Sequence, residues 1–226
     1  LLLYNLNMLY YLFTYNLPAS EMLMLVLAYL IAIVFALMCH ELAHGFVAYK
    51  CGDKTAKLEG RLSLNPAKHL DLWGSLSFLF VGFGWAKPVP VNPLNFRNYK
   101  RDMALVSISG VITNILLAFL AVPLFMLCSR LDPSNLFFVF LTYLTMFLVV
   151  INISLAVFNL LPIYPLDGFN FINTFLKYGN KFSQFMYKYG SIILLVLIIT
   201  GLFGFAFNYV ANGILDLFLM FWGLMF

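Results

Sequence analysis

The sequence predicts an all-α, multi-pass membrane protein, and three observations predict it. The 226 residues are 63% hydrophobic and only 10% charged, whereas a water-soluble domain is about half apolar and about a quarter charged. The apolar residues fall in runs of roughly 20 or more, enough to cross about 30 Å of hydrocarbon at about 1.5 Å per residue. The Lys and Arg residues, 13 against 9 Asp and Glu, sit in loops between those runs. There they read as topology determinants rather than as a nucleic-acid surface. We expect about four to six transmembrane helices in a single domain over 1–226. It comprises an N-terminal apolar segment (1–20), a core (22–170) and C-terminal helices (171–226).

The opening LLLYNLNMLYYLFTYNL is apolar but lacks a basic flank and a small-residue cleavage site. It reads as an interfacial or spanning segment rather than a signal peptide. The first long span is 22–48, MLMLVLAYLIAIVFALMCHELAHGFVA. A basic loop follows over 50–71, with Lys50, Lys54, Lys57, Arg61 and Lys68. The positive-inside rule puts that loop in the cytoplasm. Within it, 55–65 (TAKLEGRLSLN) alternates roughly as a strand does, so a small membrane-associated β element is expected there.

Residues 72–86 (LWGSLSFLFVGFGWA) are apolar but short, and a second basic loop with Lys87, Arg97, Lys100 and Arg101 follows. Basic loops on both sides favour a re-entrant segment over a crossing. Spans are expected at 103–128 and 136–161, separated by the Asp132–Pro133 turn. Pro162 and Pro165 end the second. Residues 170–189, with Lys177, Lys181 and Lys188, read as an interfacial helix, 190–210 as a further span, and 213–226 as a short last helix.

The chemistry lies in CHELAHG at 39–45. Ionisable side chains inside an apolar span are costly, so function is the default reading for them. On a helix, His40 and His44 stand at i and i+4 on one face, within reach of one metal ion. Imidazole nitrogen suits zinc, which lowers the pKa of a bound water to about 7. Glu41, beside that face, is placed to take a proton from such a water. Cys39 points about 100° away on a helix and is no ligand. Cys39, Cys51 and Cys128 have no metal-site spacing and read as small apolar residues.

Catalytic zinc usually takes three protein ligands, so one is missing nearby. Asp167, in NLLPIYPLDG just past the end of a span, is one candidate. His69, in the basic loop, is the other. Asn159 lies eight residues before Asp167. An amide inside a span ordinarily hydrogen-bonds another helix, and Asn114 and Asn152 carry that reading too. Gly110 and Asn114, at i and i+4, allow close helix approach with one polar contact.

HELAHG, GWAKPVPVNP at 84–93, GVITN at 110–114 and NLLPIYPLDG at 159–168 occur in that order. In these motifs the chain resembles the site-2 protease family of intramembrane zinc metalloproteases, peptidase family M50, in its short form without PDZ or CBS domains. The resemblance covers about residues 25–170. It implies one zinc per chain on His40, His44 and Asp167, with Glu41 as general base and Asn159 holding the substrate or the oxyanion. It also implies a membrane-anchored protein substrate, such as an anti-sigma factor or another single-span protein. A multi-pass location in the cell membrane, an active site nearer the cytoplasmic face and a regulatory membrane partner complete the expectation. The chain departs from the family in having Gly110–Val111 where Gly-Pro is frequent. The competing class is a transporter whose polar residues bind a passing metal ion or proton; it has no use for Glu41 as a base.

Overall fold

A computed structural model describes residues 17–69, 71, 74, 87–201 and 204–225. The expectations for residues 1–16, and most of those for 72–86, lie outside these. Helix α1 spans Ala19–Lys50 and α2 is one turn, Thr55–Leu58. Helix α3 spans Tyr99–Cys128 and α4 spans Leu136–Asn159. The short α5 (Asp167–Phe175) is followed by α6 (Lys181–Thr200) and α7 (Gly204–Gly223). Helices α1, α3, α4 and α6 are each long and apolar enough to cross a membrane, which establishes the all-α multi-pass class.

Asparagines start the later helices. Asn98, Asn135 and Asn180 each turn a side-chain oxygen onto a first-turn backbone N–H, of Arg101, Phe137 and Phe182 respectively. Each bond satisfies a donor that the helix itself leaves open.

Helices α1, α3 and α4 form the core bundle. In α1, Leu25, Ala28, Ala32 and Ala36 are fully buried against Phe147 and Ile151 of α4. Lipid is as apolar as leucine, so helices here gain by close van der Waals contact, and the small alanines let the backbones approach. Helix α7 closes the far side, with Ala211 and Leu215 packed on Ala118, Val122 and Ile153. Helix α3 runs antiparallel to α1: His44 meets Val106 while His40 meets Asn114.

That pairing brings the end of α1 and the start of α3 to the same end of the bundle. The two basic loops are tied together there. Arg97 N–H donates to Cys51 O (3.2 Å) and Lys87 N–H donates to His69 O (2.8 Å). The described chain on either side of 72–86 thus meets at one end of the bundle; the re-entrant expectation for 72–86 falls outside the described residues.

Two expectations are corrected. Residues 55–65 are not a strand, and there is no strand among the described residues. Asp53 accepts hydrogen bonds from the N–H and hydroxyl of Thr55 and starts the turn of α2 instead. Gly60 then takes φ +62°, a left-handed conformation that ends any regular run. Alternation over so few residues does not distinguish a strand from a turn of helix followed by a loop.

The C-terminal partition also differs. The expected interfacial helix at 170–189 and span at 190–210 are replaced by α5, a continuous α6 over 181–200, and α7. The break is Gly201, whose φ of +63° caps α6 in the left-handed region. Lys181 and Lys188 do not interrupt α6, because lysine stems lie along an apolar surface while their heads reach out of it.

Candidate active site

His40 and His44 stand one turn apart on α1, 5% and 9% exposed. The third group arrives from α5. After Asn159 the chain leaves the helical path at Pro162 and Pro165, as proline requires, and re-enters a helix at Asp167. Gly168 makes this return possible: a Cβ there would collide with the carbonyls of Leu160 and Leu161.

Asp167 Oδ2 then lies 3.1 Å from His40 Nε2 and 3.2 Å from His44 Nε2, and the two Nε2 atoms are 3.1 Å apart. Atoms bound to one tetrahedral zinc at about 2.0–2.1 Å sit roughly 3.3–3.4 Å from each other. The triangle therefore has nearly the size that zinc requires.

The hydrogen bonds behind the triangle decide which atoms face it. Asn114 Nδ2 donates to Asn152 Oδ1 (2.7 Å) and Asn152 Nδ2 donates to Leu148 O (2.7 Å). This chain fixes Asn114 Oδ1 as the acceptor toward His40, so His40 Nδ1–H donates to it (2.6 Å). His44 Nδ1–H donates to Val106 O (2.8 Å), a group that can only accept. Ser109 Oγ–H donates to the same carbonyl (2.7 Å). Both Nε2 atoms then carry lone pairs, not protons, and they point at a carboxylate oxygen that is buried without a hydrogen-bond donor. Three acceptors that face each other in an apolar surrounding repel unless a cation joins them. Zinc, which takes neutral imidazole and carboxylate, fits this donor set.

Sequence reasoning assigned Asn114 and Asn152 to contacts between helices. They are such contacts, and they also set the face that His40 presents. Gly110 has a related task. A Cβ there would lie 2.5–2.7 Å from the His40 ring, so the ring occupies the space that glycine leaves open. The signal was available in the i, i+4 pair Gly110 and Asn114, but nothing local indicates that a histidine 70 residues away faces it.

Glu41 lies beside the triangle, where Oε2 accepts a hydrogen bond from Val89 N–H (3.0 Å). Glu41, the three converging groups and Asn159 all line one cavity of about 430 Å³, walled by Leu37, Val91 and Leu155 among others. Asn159 donates from Nδ2 to Leu155 O (3.0 Å), a bond within its own helix, and makes no bond to the triangle. His69 is elsewhere. It is 2% exposed and donates from Nε2 to Ser63 O (2.7 Å), and the described metal-ligating cluster consists of His40, His44 and Asp167 without it.

A multi-pass helical bundle that carries two imidazoles, a carboxylate and a neighbouring glutamate on one cavity defines a membrane-embedded metallohydrolase. Residues 28–200 match the family described as peptidase family M50, and the chain belongs to that family. It is 42% identical to YwhC of Bacillus subtilis (strain 168), over 76% of this chain and 80% of that protein. It is 30% identical to Rip2 of Mycolicibacterium smegmatis, over 74% of this chain and 64% of that protein. Rip2 of Mycobacterium tuberculosis (strain H37Rv) is 31% identical over 63% of this chain and 54% of its own length. All three are named as candidate zinc metalloproteases. No solved structure matches the chain at comparable significance. Family and relatives together identify a membrane zinc metalloprotease of the site-2 protease type.

Proposed function

We propose that this chain, as a single catalytic domain, is an endopeptidase that hydrolyses peptide bonds in or near the transmembrane helix of membrane-anchored proteins. His40, His44 and Asp167 hold the zinc, and Glu41 is the general base. Bound zinc supplies Lewis acidity, which acidifies water and polarises a carbonyl. Glu41 takes a proton from the attacking water and delivers it to the departing amine nitrogen. A carboxylate on the wall of the same cavity is within reach of both tasks. Asn159, which lines the same cavity, offers an amide to the backbone or developing oxyanion of an unwound substrate. The surrounding leucine and valine side chains keep the cavity apolar and strengthen each of these interactions.

A cytoplasmic opening is supported by the two basic loops. Both lie at the bundle end to which α1 carries the site, and basic loops favour the cytoplasmic side. A single-span substrate fits, because a peptide bond inside a helix is shielded until the helix unwinds, and only a protein-lined cavity accepts unwound backbone at membrane depth.

The observation that carries the reading is the convergence of three proton-free ligand atoms with a carboxylate on one cavity. The test is elemental analysis of the purified protein together with cleavage of a quenched fluorogenic peptide bearing one apolar helix. We expect about one zinc per chain in both the parent and Glu41→Gln, with cleavage at least about 1,000-fold slower in the variant. Asn159→Ala keeps the metal and slows cleavage about 10–100-fold. A parent that binds no zinc when zinc is supplied, or a Glu41→Gln that cleaves at the parental rate, overturns the assignment.

A further inference from the structure

The proposed general base sits one residue from a metal ligand, yet its hydrogen bond among the described residues reaches out of the bundle. Glu41 Oε2 is held by Val89 N–H. Val89 stands between Pro88 and Pro90, which have no N–H, so it is the single donor in the Pro-Val-Pro stretch that lies over Glu41. The strip from Lys87 to Asn95 has no helix or sheet to fix it before the turn at Pro93–Asn95. Something else must hold Val89 in register.

Two buried charges do so, one on each side. Arg61 Nη2 donates to Lys87 O (2.8 Å) and Pro88 O (3.1 Å), the two carbonyls just before Val89. Asp53 accepts from Asn92 N–H (2.7 Å) and Asn95 Nδ2 (2.8 Å), just after it. Arg61 is only 8% exposed. Its Nε has no hydrogen-bond partner, and among the described residues it has no carboxylate partner. A buried guanidinium with an unmade bond and no counterion is a poor way to stabilise a fold. Its bonds go to the two carbonyls that aim the Val89 donor at Glu41.

We infer that Arg61 is a positioning residue for the general base. Through Lys87 O and Pro88 O it fixes the Lys87–Asn95 strip so that Val89 N–H sets the orientation of the Glu41 carboxylate. This inference rests on Glu41 acting as the base. It extends the machinery to a cation in the basic loop, 20 residues beyond the histidine-glutamate motif, that touches neither the metal ligands nor Glu41.

The test is steady-state kinetics on the same fluorogenic helix peptide, with zinc content measured on the same samples, for Arg61→Met, Arg61→Lys and both changes in a Glu41→Gln background. Arg61→Met is expected to lower kcat about 10–100-fold while KM stays within about threefold and zinc stays at about one per chain. Arg61→Lys, which keeps a donor, recovers most of the loss. In the Glu41→Gln background Arg61→Met costs nothing further, since a residue that acts only through the carboxylate has nothing left to act on. Zinc loss in step with activity makes Arg61 a structural residue and overturns the inference. So does a rise in KM at constant kcat, which assigns the strip to substrate binding, or an additive loss in the double variant. If Glu41→Gln alone retains full activity, the base assignment has failed first, and that single variant reveals it independently of Arg61.

Discussion

His40 and Glu41 are neighbours in the chain, and the structure holds them in opposite ways. His40 is held from inside the bundle. Its Nδ1–H bonds Asn114 of α3, which bonds Asn152 of α4, and both asparagines are fully buried. Glu41 is held from outside, by a backbone N–H on a strip pinned by Arg61 and Asp53. The metal half therefore depends on helix packing, which changes only if the bundle comes apart. The half proposed to transfer protons depends instead on loop anchoring. Holding a metal needs fixed ligands, and the proposed base is oriented from a different quarter, by the strip that Arg61 and Asp53 hold.

This contrast can be broken from the metal side first. Gly110→Val puts a side chain where the His40 ring lies and should abolish zinc binding with helix content by circular dichroism unchanged. A Gly110→Val protein that keeps one zinc would mean that the ring has another place to go. A smaller effect is expected at Asn114. Asn114→Leu removes the acceptor that fixes His40 and should weaken zinc about 10–100-fold in a chelator competition. Asn114→Asp, which keeps an acceptor at the same place, should recover much of that loss. Equal losses for both would assign Asn114 to helix packing alone.

The smallest effect tests the loop side. Burial alone would raise the Asp53 carboxyl, but the bonds from Asn95, Thr55 and Asn92 outweigh it and hold the group below the usual carboxylate range. A carboxyl depressed in the folded state contributes stability that is complete above its unfolded value, about pH 4. That contribution fades as the pH falls through the lower folded value. The Tm advantage of the parent over Asp53→Asn should thus shrink between about pH 5 and pH 3. A constant difference over that range would remove the charge from the explanation.

Much of this site was legible in the sequence, and the particular residues show why. His40, Glu41 and His44 fall within five positions of a strongly apolar run, so helical periodicity alone puts the two imidazoles on one face. Pro162 and Pro165 announce an irregular segment before Asp167. His69 was the rival ligand, and its bond to Ser63 and its absence from the described cluster set it aside. Arg61 looked like any basic loop residue. Nothing near it in the chain indicates that it is buried against carbonyls 26 and 27 positions later. The strand expected at 55–65 failed because a side chain two positions upstream, Asp53, captured Thr55.

The sequence by itself determined the three core spans, the paired histidines and the broken segment that ends in aspartate. Each follows from the chemistry of residues within one or two helical turns of each other. Only the tertiary structure decided that Asp167 rather than His69 meets the two histidines, which nitrogen of each imidazole faces it, and what steadies Glu41. Those depend on groups brought together by the packing of α1 against α3, α4 and α5. In a bundle where every span is apolar on all sides, no local pattern specifies which faces meet.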